Sequence, residues 1–307
     1  MGADRTRLSW ADAAEIGDAH DGVASRALLR AVGVGSDRVR NQVRAGRWAV
    51  HGRQTVALHT SDLGQQARRW RAVWEVGERV AVLDGVSALQ AAGLTGYDDD
   101  DIHVSTIHRH HGGAAAGVRD HAVRRRLPDE VLTAGIPRTR PHIAAIRAAH
   151  WAVSDRQAAL VLVMPVQQRL TTGARLVEAA DLVPGRNRRA LIRQLVRDIA
   201  DGAQSLGELD FAALCRQRGL PEPTRQVVVR GPRGRVYLDV RWDGWALVVE
   251  IDGSGHRWGL AVTDDNLRAN AVSLGADLVL RIDLVGLRLE TDTFMDQVAA
   301  GLAQRAA

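Results

Sequence analysis

The sequence contains no lysine, so all 41 of its basic residues are arginines. Its single cysteine, Cys215, cannot form an intrachain disulfide and excludes a cysteine-rich zinc site, as is typical of proteins in a reducing compartment. No apolar run approaches the roughly 18 residues of a membrane span, and the charged first 22 residues lack a signal-peptide core. We therefore expect a cytoplasmic protein without membrane segments.

The remaining composition is that of an ordinary folded protein of 307 residues, with 46% hydrophobic and 25% charged residues. This length favours two domains and allows three small ones. Motifs and charge divide the chain into residues 1–72, 73–200 and 201–307, with net charges of +5, +3 and −3. The abundance of arginine by itself fits a genome-wide preference, but the gradient indicates that the N-terminal part is the one suited to phosphate contacts.

Residues 24–59 have the pattern of two short helices followed by a β-hairpin. The first predicted helix covers 24–32, and the second follows an N-cap at Ser36, continues to 45 and buries Val39 and Val43. Strands at 48–51 and 55–58 complete the pattern. Asn and Gln can read adenine edges, and Arg can bind guanine or phosphate. The predicted DNA-binding residues are Arg38, Arg40, Asn41, Gln42, Arg44 and Arg53.

This order of helix, tight turn, helix and hairpin resembles the winged helix-turn-helix of AbiEi-type antitoxins. The resemblance covers about 50 residues and implies that the N-terminal region binds DNA. The alternative is that the arginines only solvate the surface of a small helical domain.

The middle region, 73–200, is predicted to be mixed and rich in helix. Strands are expected at 80–83 and 102–105, and helices at 87–92, 141–152, 154–170 and 188–199. The acids at 98–101 lack the glycine and terminal glutamate of a calcium loop and predict a solvated turn. Histidines at 103, 108, 110, 111 and 121 fit no zinc spacing, so we infer no chemistry from this region.

Residues 236–252 predict two alternating strands joined by a two-residue turn at Asp243-Gly244. If Trp242 faces Trp245, Asp239 lies opposite Val248 and Tyr237 lies opposite Glu250. Alternation then puts the carboxylates of Asp239, Glu250 and Asp252 on one face and the aliphatic residues on the other.

In that register Asp239 and Glu250 are diagonal neighbours about 7 Å apart, a separation that a Mg²⁺ ion could bridge. Without a cation the three acids would repel one another. The alternative is a strand pair whose acidic face simply meets solvent.

The spacing of these acids resembles that of a nuclease superfamily. Asp239, followed 11 residues later by Glu250-Ile-Asp252, is similar to the acidic core of the PD-(D/E)xK nucleases. Together with residues 237–240, 248–253, His256, Arg268 and 280–281, it resembles the domain of unknown function related to very-short-patch-repair (Vsr) endonucleases, over about 203–290. The resemblance implies an α/β core in which Asp239 and Glu250 hold Mg²⁺ or Mn²⁺. The bound metal would support hydrolysis of the DNA backbone.

The chain departs from this family at the lysine position, which is Asp252 here, itself a candidate catalytic acid. The resemblance then points to His256 as general base, although a histidine in this Gly-Ser-Gly-His sequence is equally an exposed loop residue. Glu208 is a further catalytic candidate, but the S-x-x-E capping box at 205–208 also explains it. A helix at 263–273, with Asp264 and Asp265 in its first turn, and a strand at 277–282 complete the predicted crossover.

The sequence therefore predicts the α/β class, with a winged helix, an α-rich middle region and a nuclease-like core. The expected function is that of a DNA-binding, metal-dependent endonuclease in DNA repair or defence. The alternative is a transcriptional regulator or antitoxin-like protein with an inactive nuclease fold, which the missing lysine favours. The expected partner is DNA.

Overall fold

The computed structural model describes residues 2–107, 115–201, 209–230, 236–252, 260–273 and 279–305. Helices and three sheets occur along these ranges, so the chain is α/β, as predicted. It divides into two compact units, Met1–Arg140 and Pro141–Ala307. The finer boundaries at 72 and 200 stay predictions. Within the described ranges, none of the helices combines the length and the apolar character that a membrane crossing requires.

The first unit opens with helices around a small antiparallel sheet. Its elements are α1 (Gly2–Ala19), β1 (Val23–Ser25), α2 (Arg26–Ala31), α3 (Ser36–Arg44), β2 (Ala49–Val50) and β3 (Thr55–Ala57). The strand order is β1-β3-β2. Leu29, Val39 and Val56 are buried together in the core of this region, and Val43 packs against them, as predicted.

Two details of the predicted helices were wrong. The first helix begins at Arg26 instead of residue 24, because residues 23–25 pair with β3 and the Ser25 hydroxyl accepts a hydrogen bond from the amide of Leu28 at 3.1 Å. The second helix has Gly35 as its N-cap, and Ser36 is already its first residue. Three-residue strands such as β1 depend on a distant partner, which local patterns do not reveal.

The rest of the first unit contains two helices and a mixed five-stranded sheet. Its elements are α4 (Gln65–Gly77), β4 (Val82–Leu83), α5 (Gly85–Ala91), β5 (Ile102–Thr106), β6 (Val118–Ala122), β7 (Val131–Leu132) and β8 (Arg138–Thr139), and the strand order is β6-β5-β4-β8-β7. The predicted strands at 80–83 and 102–105 and the helix at 87–92 are present with shifted ends. Strands β6, β7 and β8 were not predicted, because they are short or polar.

The second unit begins with four helices: α6 (Pro141–Trp151), α7 (Asp155–Gln167), α8 (Gly173–Leu182) and α9 (Arg189–Ala200). Ser154 and Thr172 cap α7 and α8 through their hydroxyl groups. Helices α6, α7 and α9 match the predicted segments within a few residues. Helix α8 was not predicted.

A four-stranded sheet with flanking helices completes this unit. Its elements are α10 (Phe211–Gln217), β9 (Arg225–Arg230), β10 (Val236–Trp242), β11 (Leu247–Asp252), α11 (Leu260–Ser273), β12 (Val279–Asp283), α12 (Leu284–Leu289) and α13 (Thr291–Arg305). The strand order is β12-β11-β10-β9, and β12 runs parallel to β11. The predicted strand, helix and strand crossover is therefore present. Trp242, Phe211 and Phe294 are buried in its core.

Candidate functional site

The hairpin of β10 and β11 has a different register from the predicted one. Trp242 lies opposite Leu247, and the chain connects them through a short 3-10 turn, Asp243–Trp245, followed by Ala246 with φ of +48°. The predicted two-residue turn is therefore wrong. The buried Trp242 ring donates its Nε1–H to the carbonyl of Pro221 at 2.9 Å, and Thr224 Oγ1 accepts the amide of Asp243 at 3.0 Å, so contacts with the preceding segment hold the turn open.

The register shifts by two residues, which preserves the predicted faces. Asp239 lies directly opposite Glu250 instead of Val248, and Tyr237 lies opposite Asp252. The aliphatic residues of both strands are buried, whereas the acids alternate with them on the opposite face. We call this the carboxylate face; it is formed by Asp239, Glu250 and Asp252. Direct pairing brings the two predicted metal ligands closer together than the diagonal arrangement would.

Arginines balance the charge of two of these carboxylates. Arg281 is the β12 residue in register with Glu250, and its Nε donates to Glu250 Oε2 at 2.9 Å. Arg241 lies two residues after Asp239 on the same strand, with 3.7 Å between its Nε and Asp239 Oδ2. The expectation that only a bound cation relieves the repulsion is therefore wrong, because the sheet itself supplies positive charge.

One carboxylate oxygen on this face remains without a hydrogen bond. Asp239 Oδ1 is buried and has no hydrogen-bond partner within the part of the chain that the structure describes. A buried acceptor without a donor is costly, and a hard cation such as Mg²⁺ would satisfy it. Among the same described residues, no group of three or more His, Cys, Asp or Glu side chains is arranged to hold a metal ion. Within the described residues, the carboxylates of Asp239 and Glu250 are thus the candidate ligands for a cation, which would need further ligands from elsewhere.

Asp283 is an acid of this region that sequence reasoning missed. It lies in register with Asp252 at the end of β12, is almost fully buried and accepts hydrogen bonds from Thr263 Oγ1 and the amide of Gly286, both at 2.7 Å. Burial raises the pKa of Asp283, and nearby Asp252 raises it further. Because its oxygens cap α12 and bind α11, Asp283 is a structural carboxylate. Its position before Leu-Val-Gly is a capping signal that could have identified it.

The remaining predicted catalytic residues give a mixed outcome. Glu208 and His256 lie outside the described residues. Helix α11 begins at Leu260, so Asp264 and Asp265 are not in its first turn, and that prediction was wrong. Thr263 lies inside the helix, and its hydroxyl donates to Asp283 Oδ2 at 2.7 Å. Arg268 donates to Asp265 at 2.8 Å.

The predicted DNA-binding residues differ in their exposure and in the contacts that they make within the protein. Arg40, Asn41, Arg44 and Arg53 are exposed. Arg40 forms an ion pair with the neighbouring Asp37. Two others are partly buried. Arg38 donates to the carbonyl of Gly33 at 3.3 Å and lies over the Trp10 ring, and Gln42 accepts from Arg47 Nε at 2.6 Å.

Charge on this part of the first unit is one-sided. Residues 26–53 contain seven arginines and a single acid, Asp37. We call this segment the arginine surface. Arg30 and Arg47 are also exposed and were missing from the predicted set. Such an excess of positive charge suits a polyanion.

Two of the five histidines considered above form a stacked pair. His121 Nε2 lies 2.9 Å from His103 Nδ1, and His103 Nε2 lies 3.3 Å from a carboxylate oxygen of Asp99. Burial lowers the pKa of both rings, that of His121 to about 3, with a further contribution to His121 from the adjacent His103. Both rings are therefore neutral at pH 7. Histidines 108, 110 and 111 lie outside the described residues.

Known proteins show little similarity to this chain. No family model matches the chain, and the curated proteins contain no match to it. Among solved structures, the chain is similar to the crystal structure of the RV2827C protein from Mycobacterium tuberculosis, with a TM-score of 0.37 and 16% sequence identity. The similarity covers 57% of this chain and 72% of that one.

Proposed function

We propose that the chain binds duplex DNA through a winged helix-turn-helix containing the arginine surface, and that residues 201–307 form a Vsr-like, metal-dependent endonuclease domain. The observation that carries the second part is the direct pairing of Asp239 with Glu250 beside a buried oxygen, Asp239 Oδ1, for which the described residues provide no hydrogen-bond donor. The excess of arginine over residues 26–53 supports the first part. A role in DNA repair or defence would use both.

In this proposal Asp239 and Glu250 hold Mg²⁺ or Mn²⁺, which when bound would supply Lewis acidity and an activated water. Arg241 and Arg281 carry positive charge beside the two acids and would attract the phosphate group of the substrate. Asp252 adds a third acid at the edge of the same face. His256 as general base and Glu208 as a further acid stay predictions.

A second candidate is a DNA-binding regulator or antitoxin-like protein in which this core has lost its activity. The contact between Arg281 and Glu250 favours it, because a carboxylate already paired with a guanidinium needs no metal for charge balance. The absence of lysine from the chain supports the same conclusion. Both candidates share the proposal that the first unit binds DNA.

The experiment that separates them uses the full chain, supercoiled and linear duplex DNA, and Mg²⁺ or Mn²⁺. The endonuclease proposal expects nicking that Asp239→Asn abolishes while DNA binding persists. Asp243→Asn is the matched control, since it makes the same charge change in the exposed connection of the same hairpin and should retain nicking. Metal-independent DNA binding without cleavage of any substrate would favour the regulator.

A further inference from the structure

The loop at the tip of the first-unit hairpin directs its amides toward one carboxylate. The backbone amides of Arg53, Gln54 and Thr55 donate to Glu75 at 2.8, 2.9 and 2.9 Å, and the Thr55 hydroxyl adds a fourth hydrogen bond of 2.7 Å. Consecutive amides that converge on one anion form a nest, an arrangement that binds phosphate in other proteins. Here the anion is a side chain of helix α4.

Gly52 allows this close approach. Its φ of +148° lies in a region that residues with side chains rarely adopt, and a Cβ at this position would lie 2.4 Å from the carboxyl carbon of Glu75. Any other residue at position 52 would therefore displace the loop or the carboxylate. The loop between β2 and β3 therefore accommodates the carboxylate of Glu75, which lies more than 20 residues later in the sequence.

Arginines hold the carbonyl groups of the same loop. Arg71, on α4, donates its Nε to the carbonyl of His51 at 2.6 Å. Arg26 donates its backbone amide to the carbonyl of Gln54 at 2.8 Å and its Nε to that of Arg53 at 3.0 Å. The loop is therefore fixed from two sides, with its amides on a carboxylate and its carbonyls on cationic residues.

A DNA phosphate cannot use amides that already bind a carboxylate, so any contact between this loop and DNA would use its exposed side chains, of which Arg53 is the cationic one. We propose that Glu75 is a positioning residue for DNA binding. By fixing the loop backbone it presents Arg53 in one arrangement and reduces the cost of ordering the loop on binding. This inference rests on the proposed DNA binding by the arginine surface.

Simple electrostatics and the proposal predict opposite changes in DNA affinity when Glu75 is neutralised. Removing a negative charge near a DNA-binding surface ordinarily strengthens binding to a polyanion. If Glu75 positions Arg53, its neutralisation weakens binding instead, because the loop loses its anion. The two outcomes differ in direction, so the experiment does not depend on a precise magnitude.

The test measures binding of the full chain to a fluorescent duplex by anisotropy, between 50 and 200 mM salt. Glu75→Gln should weaken binding about threefold to tenfold and lower the slope of log affinity against log salt by about 0.9, as expected for one lost phosphate contact. Arg53→Ala should do the same. The double variant should bind no more weakly than either single one, since both remove one contact.

Glu78→Gln is the matched control, because it makes the same charge change directly after α4, where Glu78 accepts a hydrogen bond from the Ser25 hydroxyl at 3.1 Å. It should bind DNA as tightly as the unchanged chain or more tightly. Thr55→Val removes a single hydroxyl from the same carboxylate and should weaken binding in the same direction but less. If Glu75→Gln destabilises the fold, Thr55→Val still tests the proposal, because it removes only one hydrogen bond to the same carboxylate.

Binding by Glu75→Gln that equals or exceeds that of the unchanged chain, with the same salt slope, would overturn the inference. A chain that binds no DNA at all would overturn the proposed function, and the inference with it. Hydrogen exchange distinguishes the two failures, because the amides of residues 53–55 should exchange faster in Glu75→Gln whether or not DNA is bound. Unchanged exchange would refute the positioning step by itself.

Discussion

The arginine surface and the carboxylate face treat charge in opposite ways. Over residues 26–53 seven arginines face one acid, and that acid, Asp37, pairs with Arg40. On the carboxylate face, Glu250 and Asp239 each have an arginine nearby, Arg281 and Arg241. The first region therefore has more arginines than acids within its own segment, whereas on the second an arginine lies beside two of the three acids.

This difference in charge balance determines which kind of partner each region would attract. Surplus charge on a surface costs self-repulsion, which binding to a polyanion relieves with release of counterions. A balanced face gains less from a new ion, because the ion must compete with a guanidinium for the same oxygen. We therefore expect strong, salt-sensitive binding at the first region and weaker, competitive metal binding at the second.

The largest expected effect is the salt dependence of DNA binding. With about four phosphate contacts, a rise from 50 to 200 mM salt should weaken binding roughly a hundredfold. Replacing Arg40, Arg44 and Arg53 with alanine should remove nearly three units of the salt slope, again by about 0.9 per contact. The matched control replaces three exposed arginines of the second unit, Arg175, Arg186 and Arg189, and should leave most of the slope in place. Equal losses in both triple variants would erase the contrast between the regions.

The next effect concerns His121, a half-buried histidine in the unit that carries the arginine surface. The pKa of His121 is lowered to about 3 by burial and by His103, so the unfolded chain binds a proton first as the pH falls below about 6.5. Stability from the neutral ring is thus complete above that pH and is lost toward pH 3. Between pH 7.5 and pH 5 the loss should be about 2 kcal/mol.

Denaturant unfolding of the full chain at the two pH values checks this loss. His121→Phe should lower stability at pH 7.5, because it removes the hydrogen bond between His121 Nε2 and His103 Nδ1, yet reduce the difference between the two pH values. His59→Phe, a half-buried histidine of the same unit, serves as the control and should retain the difference. An unchanged difference in His121→Phe would show that another group titrates.

A smaller effect tests competition on the carboxylate face. Arg281→Ala removes the guanidinium from Glu250, so Mn²⁺ should bind about threefold to tenfold more tightly, in line with the modest strength of exposed ion pairs. Isothermal titration calorimetry of the DNA-free chain measures this directly. Arg268→Ala, which loses a comparable exposed pair with Asp265, should leave Mn²⁺ affinity unchanged. Equal affinities in all three proteins would mean that Arg281 does not compete with metal.

Periodicity alone predicted the faces of this hairpin, but local turn chemistry did not predict its register. Alternation over 236–252 depends only on the pleat, so the acids were correctly assigned to one face. The turn at Asp243-Gly244 has the usual signal of a tight hairpin, yet Thr224 and Pro221, outside the hairpin, hold the chain in a wider connection. Tertiary contacts of this kind cannot be inferred from the hairpin sequence.

The arginine partners were equally hard to foresee. Arg241 is close to Asp239 in sequence, but Arg281 meets Glu250 only because β12 returns parallel to β11 after a helix, 31 residues later. The helices and hairpin of residues 24–59 were easier, since Val39, Val43 and the flanking strands give regular patterns. Glu75, which fixes the loop of that hairpin, has no local signal because its partners are amides 20 to 22 residues away.

The smallest expected effect removes the one acid of the arginine surface. Asp37→Asn deletes the partner of Arg40, and both side chains are exposed, so the pair contributes little to folding stability. DNA affinity should rise about twofold at low salt, because one more guanidinium is available to phosphate and one repulsive charge is gone. Asp37 also lies in the first turn of α3, where a carboxylate favours the helix, so a slightly lower melting temperature is expected beside the tighter binding. Asp62→Asn, an exposed acid outside the segment, is the control measured by the same anisotropy titration. Weaker binding by Asp37→Asn would mean that Asp37 orders Arg40 for DNA, and the surface would then resemble the carboxylate face in using paired charges.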